Sequence, residues 1–268
     1  MTSYDHDNPR LAETYHRISE PQLEGGKRLV EKLGIERGGR VLDVGCGTGR
    51  LARWIAEMVG PEGEVAGIDP LADRIAIARQ DNDGIRFEVG SAEDLGRFAD
   101  GSFDRVCLNA VFHWIEDKPR ALAEVWRVLR PGGRVGITTV PRETFWAATV
   151  HNVCALVLSR SPYLEQIDPA AVGVLDRNIA ISDLLALFAE EKLDLVELQV
   201  TRREQVFESG REVVDFVESS SFGTMTALVP EEVRDTLRAE LAEAFEEIKL
   251  GGRIVLHGHT ALFVAERS

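Results

Sequence analysis

The run VLDVGCGTGR, residues 41–50, constrains this chain more than any other stretch. Its apolar residues set a buried strand, yet Asp43 stands inside it, and glycines follow at 45, 47 and 49. The next segment, LARWIAEMV (51–59), repeats Leu51, Ile55 and Val59 at helical spacing. Strand, glycine turn and helix make a cradle, because glycine admits close backbone approach and a helix N-terminus presents unbonded N–H groups. A plain strand-to-helix turn is the alternative reading of the glycines taken alone.

The surroundings repeat the alternation. Strand patterns at 40–45, 64–69, 85–92, 103–111 and 134–140 are separated by helical patterns at 51–59, 71–80 and 118–130. Pro131-Gly132-Gly133 is expected to stop the last of these helices. Crossovers of that kind predict a parallel sheet covered on both faces. The pattern changes after residue 142. Residues 142–178 carry Pro162 and Pro169 and no clear strand. A helix resumes over 182–192 with Ser182 as its expected N-cap. A long strand is expected at 194–207 and a last one at 259–267. The helix between them has Pro230 in its first turn and Gly251 at its stop.

Composition removes whole classes. With 31 basic and 45 acidic residues the chain carries a formal charge of -14, which repels nucleic-acid backbones. Cys46, Cys107 and Cys154 are too scattered for a disulfide framework or a zinc site, and suit a reducing compartment. The N-terminal MTSYDHDNPR has no apolar signal region, and no apolar run reaches the ~20 residues of a membrane span. The expectation is a cytoplasmic protein of one domain with insertions, without nucleic-acid or membrane partners.

Spacing separates the nucleotide cradles. A dinucleotide loop wants G-x-G-x-x-G, whereas here the glycines fall as G-x-G-x-G and Arg50 takes the last position. Asp69 ends the second strand, where an acid serves ribose hydroxyls; an Asp-Pro turn with Pro70, or a helix cap, is its other reading.

In the segments VLDVGCGTG (41–49), GID (67–69), GSAEDL (90–95), DGSFDRVCLNAVFHW (100–114) and ALAEVWRVLRPGGRV (121–135), the chain resembles the class I S-adenosylmethionine-dependent methyltransferases. Within that family it looks most like small-molecule enzymes of the trans-aconitate, malonyl-carrier-protein and ubiquinone-pathway kind. The resemblance implies an α/β, Rossmann-like fold with a mostly parallel seven-stranded sheet, helices on both faces and a helical cap. It divides the chain into an N-terminal helical lid (1–39), a cofactor-binding core (40–140), an inserted cap (141–181 and 208–252) and the rest of the core (182–207 and 253–268). The cap segments are expected to cover the methyl acceptor.

By the same resemblance Asp43 faces the methionine ammonium of S-adenosyl-L-methionine, and Gly45 and Gly47 let the loop lie against it. A cationic sulfonium ligand also accounts for an acid where a phosphate cradle would want none. Asp69 and Pro70 fall at the ribose. Ser91 stands where the family usually has Asp at the adenine, followed by Ala92, with Glu93 as an alternative partner. Asn109 matches the position behind the methionine moiety, or is a strand-end turn residue. Tyr15, Trp114 and Trp146 are assigned to the substrate; Tyr4 and His16 lie in the same lid region as Tyr15.

Methyl transfer asks mainly for orientation and exclusion of water, and a base is needed only for an acceptor that is protonated at neutral pH. His113, just past the fourth strand, is the candidate base and substrate residue, with packing beside Trp114 as its other reading. His257 and His259 alternate on one strand face but lack a third ligand, so they read as surface histidines and no metal is expected. Phe145, Trp146, Tyr163, Phe216 and Phe222 are read by default as cap core. Arsenite chemistry is disfavoured, because only Cys154 is left free to meet a substrate. The reading is methyl transfer to oxygen or nitrogen of a small molecule, such as a secondary metabolite or carboxylic acid, by a monomer or homodimer. The alternatives are a cofactor-binding homologue without transfer, or a nicotinamide-dependent oxidoreductase.

Overall fold

The computed structural model describes residues 7–142, 146–167, 178–221 and 223–268. Its chain folds into two compact units.

The larger unit holds residues 20–142, 178–200 and 260–268. A seven-stranded sheet runs in the order β3-β2-β1-β4-β5-β7-β6. Strands β1 (Arg40–Val44), β2 (Glu64–Asp69), β3 (Arg86–Val89), β4 (Phe103–Asn109) and β5 (Leu129–Thr139) pair in parallel. The last strand, β7 (Ile254–Arg267), lies antiparallel to β5, and β6 (Leu193–Phe207) forms the edge beyond it.

Helices cover both faces. On one face, Leu29 and Leu33 of α2 (Glu20–Leu33), Ile55 of α3 (Arg50–Val59) and Ile75 of α4 (Ala72–Asp81) pack with Val41 and Val264. On the other, Leu122 and Val125 of α5 (Lys118–Val128) and Leu184 and Phe188 of α7 (Ile181–Glu190) pack with Leu42, Val106, Ile137 and Phe263. Burial of these alternating faces drives the sheet, at about 1.5–3 kcal/mol per large apolar side chain.

From β1 the order proceeds one way to β2 and β3, and the other way to β4 and β5. The crevice at such a reversal collects the loops that follow β1 and β4, which places the glycine turn beside the end of β4.

The smaller unit holds residues up to Ser19, 143–177 and 201–259. Its described helices are α1 (Pro9–Ile18), α6 (Trp146–Leu158), α8 (Gly210–Ser220) and α9 (Glu231–Glu247), with the adjoining ends of β6 and β7. Val157, Val213, Leu237, Leu241 and Phe245 make its core, joined by Tyr163 and Phe216, as the core reading of those aromatics expects. Phe145 and Phe222, like Tyr4 and Pro169, lie outside the described residues.

Several local expectations change. Pro131-Gly132-Gly133 does not separate helix from strand. Strand β5 already begins at Leu129, opposite Phe103, and pairing resumes at Arg134 opposite Arg105, so residues 130–133 bulge out of the ladder. Ser182 is not the cap of α7: Ala180 is, and Ser182 bonds its neighbour Asp183 instead. The helix starts a residue early, at Ile181, which packs against the core with Leu184 and Phe188. Cys154 is not free to meet a substrate. It is buried in the small unit against the Met225 sulfur at 3.3 Å, and burial pushes its thiol up to about 12. Of the two strand histidines, His257 is exposed beside Glu204, whereas His259 is half-buried with Nδ1 enclosed and unpartnered.

Candidate functional site

Strand β1 carries Asp43 into the sheet, where it is 1% exposed. Its Oδ1 accepts a hydrogen bond from the Cys107 thiol on β4 at 3.4 Å, while its Oδ2 is buried with no partner. Burial pushes its pKa up to about 7; the Cys107 contact opposes that shift and the charge of Asp69 adds to it. An enclosed carboxylate oxygen without a donor is costly, and a cationic donor would relieve the cost.

The chain then turns through Gly45, Gly47 and Gly49, at φ of 73°, 55° and 79°. The Gly45 and Cys46 amides both donate to the Ile68 carbonyl, at 2.7 and 2.9 Å. Gly45 is required by the protein itself: a Cβ there would come within 2.2 Å of Val111 Cγ2. The turn after β4 thus locks against the turn after β1.

Asp69, at the end of β2, works in two directions. Its Oδ2 accepts from the Gly47 amide and its Oδ1 from the Leu71 amide, both at 2.9 Å. The turn reading of Asp69 is therefore satisfied. Pro70 follows, half-buried.

Strand β3 ends at Val89, short of the expected 92, and the Gly90 amide ties its end to the Asp69 carbonyl at 3.0 Å. Ser91 is half-buried, and its carbonyl accepts from Asp94. The Ala92 side chain sits in the core under α5. Glu93 is occupied elsewhere: its Oε1 accepts from the Glu116 amide at 3.2 Å and its carbonyl from Arg120 at 2.8 Å, which anchors the start of α5.

Asn109 ends β4 as a bracket. Its Nδ2 donates to the Gln22 carbonyl on α2 at 2.9 Å, and its Oδ1 accepts from the Thr138 hydroxyl at 2.8 Å. The next residue, Ala110, has φ of 58°, unusual for a residue with a Cβ, and its amide donates to both the carbonyl and the hydroxyl of Thr138. That kink swings Val111 onto Gly45. Sequence reasoning missed Ala110, Val111, Gln22 and Thr138, because their contacts are all long-range. Gln22 also holds a buried Oε1 without a partner.

His113 lies in the short 3₁₀ turn Phe112–Trp114, half-buried. Its Nδ1 is 3.3 Å from the Thr139 hydroxyl and its ring centroid 5.1 Å from that of Trp114. Burial, and then the Lys118 charge, lower its pKa to about 4. The ring is neutral at neutral pH and retains a basic lone pair. Tyr15 lies on α1 of the smaller unit, and Trp146 begins α6 there with its side chain outside the described residues. Their assignment rests on the resemblance alone.

Asp43, Gly45, Gly47 and Asp69 thus lie at the carboxyl ends of β1 and β2, with Gly47 and Gly90 bonded to Asp69, while Asn109 ends the neighbouring β4 and bonds Gln22 and Thr138. Among the described residues no group of three or more His, Cys, Asp or Glu side chains is placed to hold a metal. No described helix is long and apolar enough to cross a membrane.

Residues 42–137 match the family model described as a methyltransferase domain. The chain is 35% identical over 170 residues to the methyltransferase GfsG of Streptomyces halstedii, covering 57% of this chain and 59% of that one. It is 34% identical over 131 residues to a malonyl-[acyl-carrier protein] O-methyltransferase of Pectobacterium atrosepticum, covering 49% and 50%. The match therefore spans between half and three-fifths of the length of these relatives. In fold the chain is similar to the YcgJ protein of Bacillus subtilis, with a TM-score of 0.58 and 19% identity over 91% of this chain and 98% of that one.

Proposed function

We propose, on the premise that residues 42–137 belong to the class I S-adenosylmethionine-dependent methyltransferases, that this chain is an enzyme that moves a methyl group from S-adenosyl-L-methionine to an oxygen or nitrogen of a small molecule. The observation that carries this reading is the buried Asp43 Oδ2 with no partner at the mouth of a glycine turn. It fits an ammonium and would repel a phosphate.

S-adenosylmethionine, when bound, supplies a methyl group already activated by its sulfonium. The chain's own residues then have to bind, orient and exclude water. Asp43 takes the ammonium. Asp69, which positions the Gly47 amide, serves the ribose hydroxyls at the end of the second strand. Ser91 and Ala92 border the adenine, whereas Glu93 serves mainly to hold α5. Asn109 backs the methionine part, fixed by its two bonds. His113 accepts a proton from an acceptor that carries one at neutral pH, and Trp114 shields it from solvent. A carboxylate acceptor would leave His113 without that task.

Titration calorimetry tests the cofactor reading directly. S-adenosylhomocysteine is expected to bind the purified chain and NADH is not, since Arg50 stands where a dinucleotide loop needs its last glycine. Binding of NADH alone would overturn the reading in favour of an oxidoreductase.

A further inference from the structure

Strand β6 has β7 on one side and no described strand on the other. Residues 194, 195, 196, 198, 199, 200, 202, 204 and 206 along it are exposed, while Leu193 and Phe207 are buried and 197, 201, 203 and 205 are half-buried. Five of the eleven large apolar side chains exposed among the described residues lie on this strand: Leu195, Val196, Leu198, Val200 and Val206. Between Leu193 and Thr201 there is no lysine, proline or glycine of the kind that blunts a free edge. Such an edge offers unpaired backbone groups together with apolar side chains.

The order of side chains along the more exposed face says what it fits. It reads Asp194, Val196, Leu198, Val200, Arg202, an apolar centre with one acid before it and one base after it. That order is complementary to its own reverse. We infer that two copies of this chain pair edge to edge through β6, antiparallel, about a two-fold axis at Leu198. Leu198 then meets Leu198 of the second copy, Val196 meets Val200, and Asp194 meets Arg202 on both sides of the axis. On the other face Glu197 meets Gln199 and Leu195 meets Thr201, with no like charges opposed.

Neighbouring registers are worse. An axis at Glu197 sets that carboxylate against its own copy, and an axis at Gln199 sets Asp194 against Glu204. A parallel pairing in register would oppose every charge to itself. Cross-strand charge and apolar pairing therefore select one register, and the contact closes on itself as a two-fold dimer must. Arg202 is available for it, since its own neighbours, Glu204 at 3.9 Å and His257 at 3.2 Å, are themselves exposed. A single strand per copy makes a small interface, so association is concentration-dependent. The pairing does not rest on methyl transfer.

Sedimentation equilibrium of the full chain up to about 0.1 mM, where a micromolar dimer is nearly complete, provides the test. The native chain is expected to dimerise. Asp194→Arg and Arg202→Asp, each counted twice by the two-fold, should weaken the dimer roughly tenfold or more, and the double variant should restore it. Circular dichroism would verify that each variant folds; if one does not, Leu198→Lys, which opposes its own copy at the axis, replaces it and should also dissociate the dimer. A native chain that stays monomeric, or a dimer indifferent to the single reversals or to Leu198→Lys, would overturn the pairing. So would a double variant no stronger than the singles.

Discussion

Asp43 in the larger unit and Glu218 in the smaller one are both buried carboxylates, 1% and 4% exposed, but their surroundings are opposite. Both oxygens of Glu218 are used: the Thr226 hydroxyl donates to Oε1, and Arg238 Nε donates to Oε2 at 2.6 Å. Arg238 in turn reaches Asp235 at 2.7 Å. Asp43 has a thiol on one oxygen and nothing on the other. The first arrangement completes itself within the chain and holds helices α8 and α9 together. The second is left open beside the glycine turn, where the proposed function puts the cofactor's ammonium. Burial alone does not distinguish the two carboxylates; the unpartnered acceptor of Asp43 does.

His113 has a place on one side of that divide, and its variant should give the largest effect. If His113 is the base, His113→Ala lowers kcat/KM by roughly 10²–10⁴-fold on a protonated acceptor while S-adenosylhomocysteine affinity stays constant. With its pKa near 4, the native pH profile is then flat above about pH 6 instead of rising through the ordinary histidine range. A loss under tenfold would put His113 with Glu218, as packing.

Breaking the closed pair is the next largest. Arg238→Met leaves Glu218 buried without its cation and should cost about 3–5 kcal/mol of stability, read by chemical denaturation. A cost below 1 kcal/mol would mean that Glu218 is as open as Asp43.

Asp43→Asn tests the open side. It should weaken S-adenosylhomocysteine binding roughly 10²-fold, as the loss of an enclosed charge partner does, yet raise the melting temperature of the free protein. The sign with pH follows from a folded pKa near 7, above the ordinary carboxylate value of ~3.9. In the free native chain the unfolded state releases this proton first, so the Asp43 contribution makes stability fall as pH rises from about 4 to about 7, then level off. Cofactor affinity runs the other way, rising toward tenfold per unit below about pH 7 and flattening above it. The Asn variant should lose both trends. Affinity that is level from pH 5 to 8 in the native chain would show that Asp43 does not meet the ammonium.

Asp69→Ala should show the smallest effect on binding, about 1–3 kcal/mol, part of it through the released Gly47 amide. If binding is unchanged, Asp69 only shapes the turns.

The open side was also the readable side. Asp43, the G-x-G-x-G spacing and Asp69 lie in or next to the strands β1 and β2, so local pattern gave their places in the fold. Asn109 was found by its position at a strand end, but its bonds to Gln22 and Thr138 join segments far apart in the chain, and no periodicity encodes them. The left-handed Ala110 carries no residue-type signal, since glycine or asparagine would be expected at such a φ. The packing reason for Gly45 was not legible, because the side chain it must avoid, that of Val111, comes from a turn 66 positions later. In the smaller unit the helices were legible from their apolar spacing, but the Glu218–Thr226–Arg238 closure was not, since charged residues on helices read as solvent-facing. Pro131-Gly132-Gly133 misled for the same reason. The triplet marks a break in regular structure, and only the pairing of β4 with β5 shows that the break is a bulge.

The strand order has a consequence for how the chain comes to be made. Within the sheet β6 touches only β7, which follows it after residues 208–253 have been synthesised. During translation, then, the strand richest in exposed apolar side chains is complete before any neighbouring strand exists to pair with it, although α2 and α7, which meet it at Glu197 and Leu193, are already made. A nascent chain stalled before Ile254 would leave β6 displayed with both edges open.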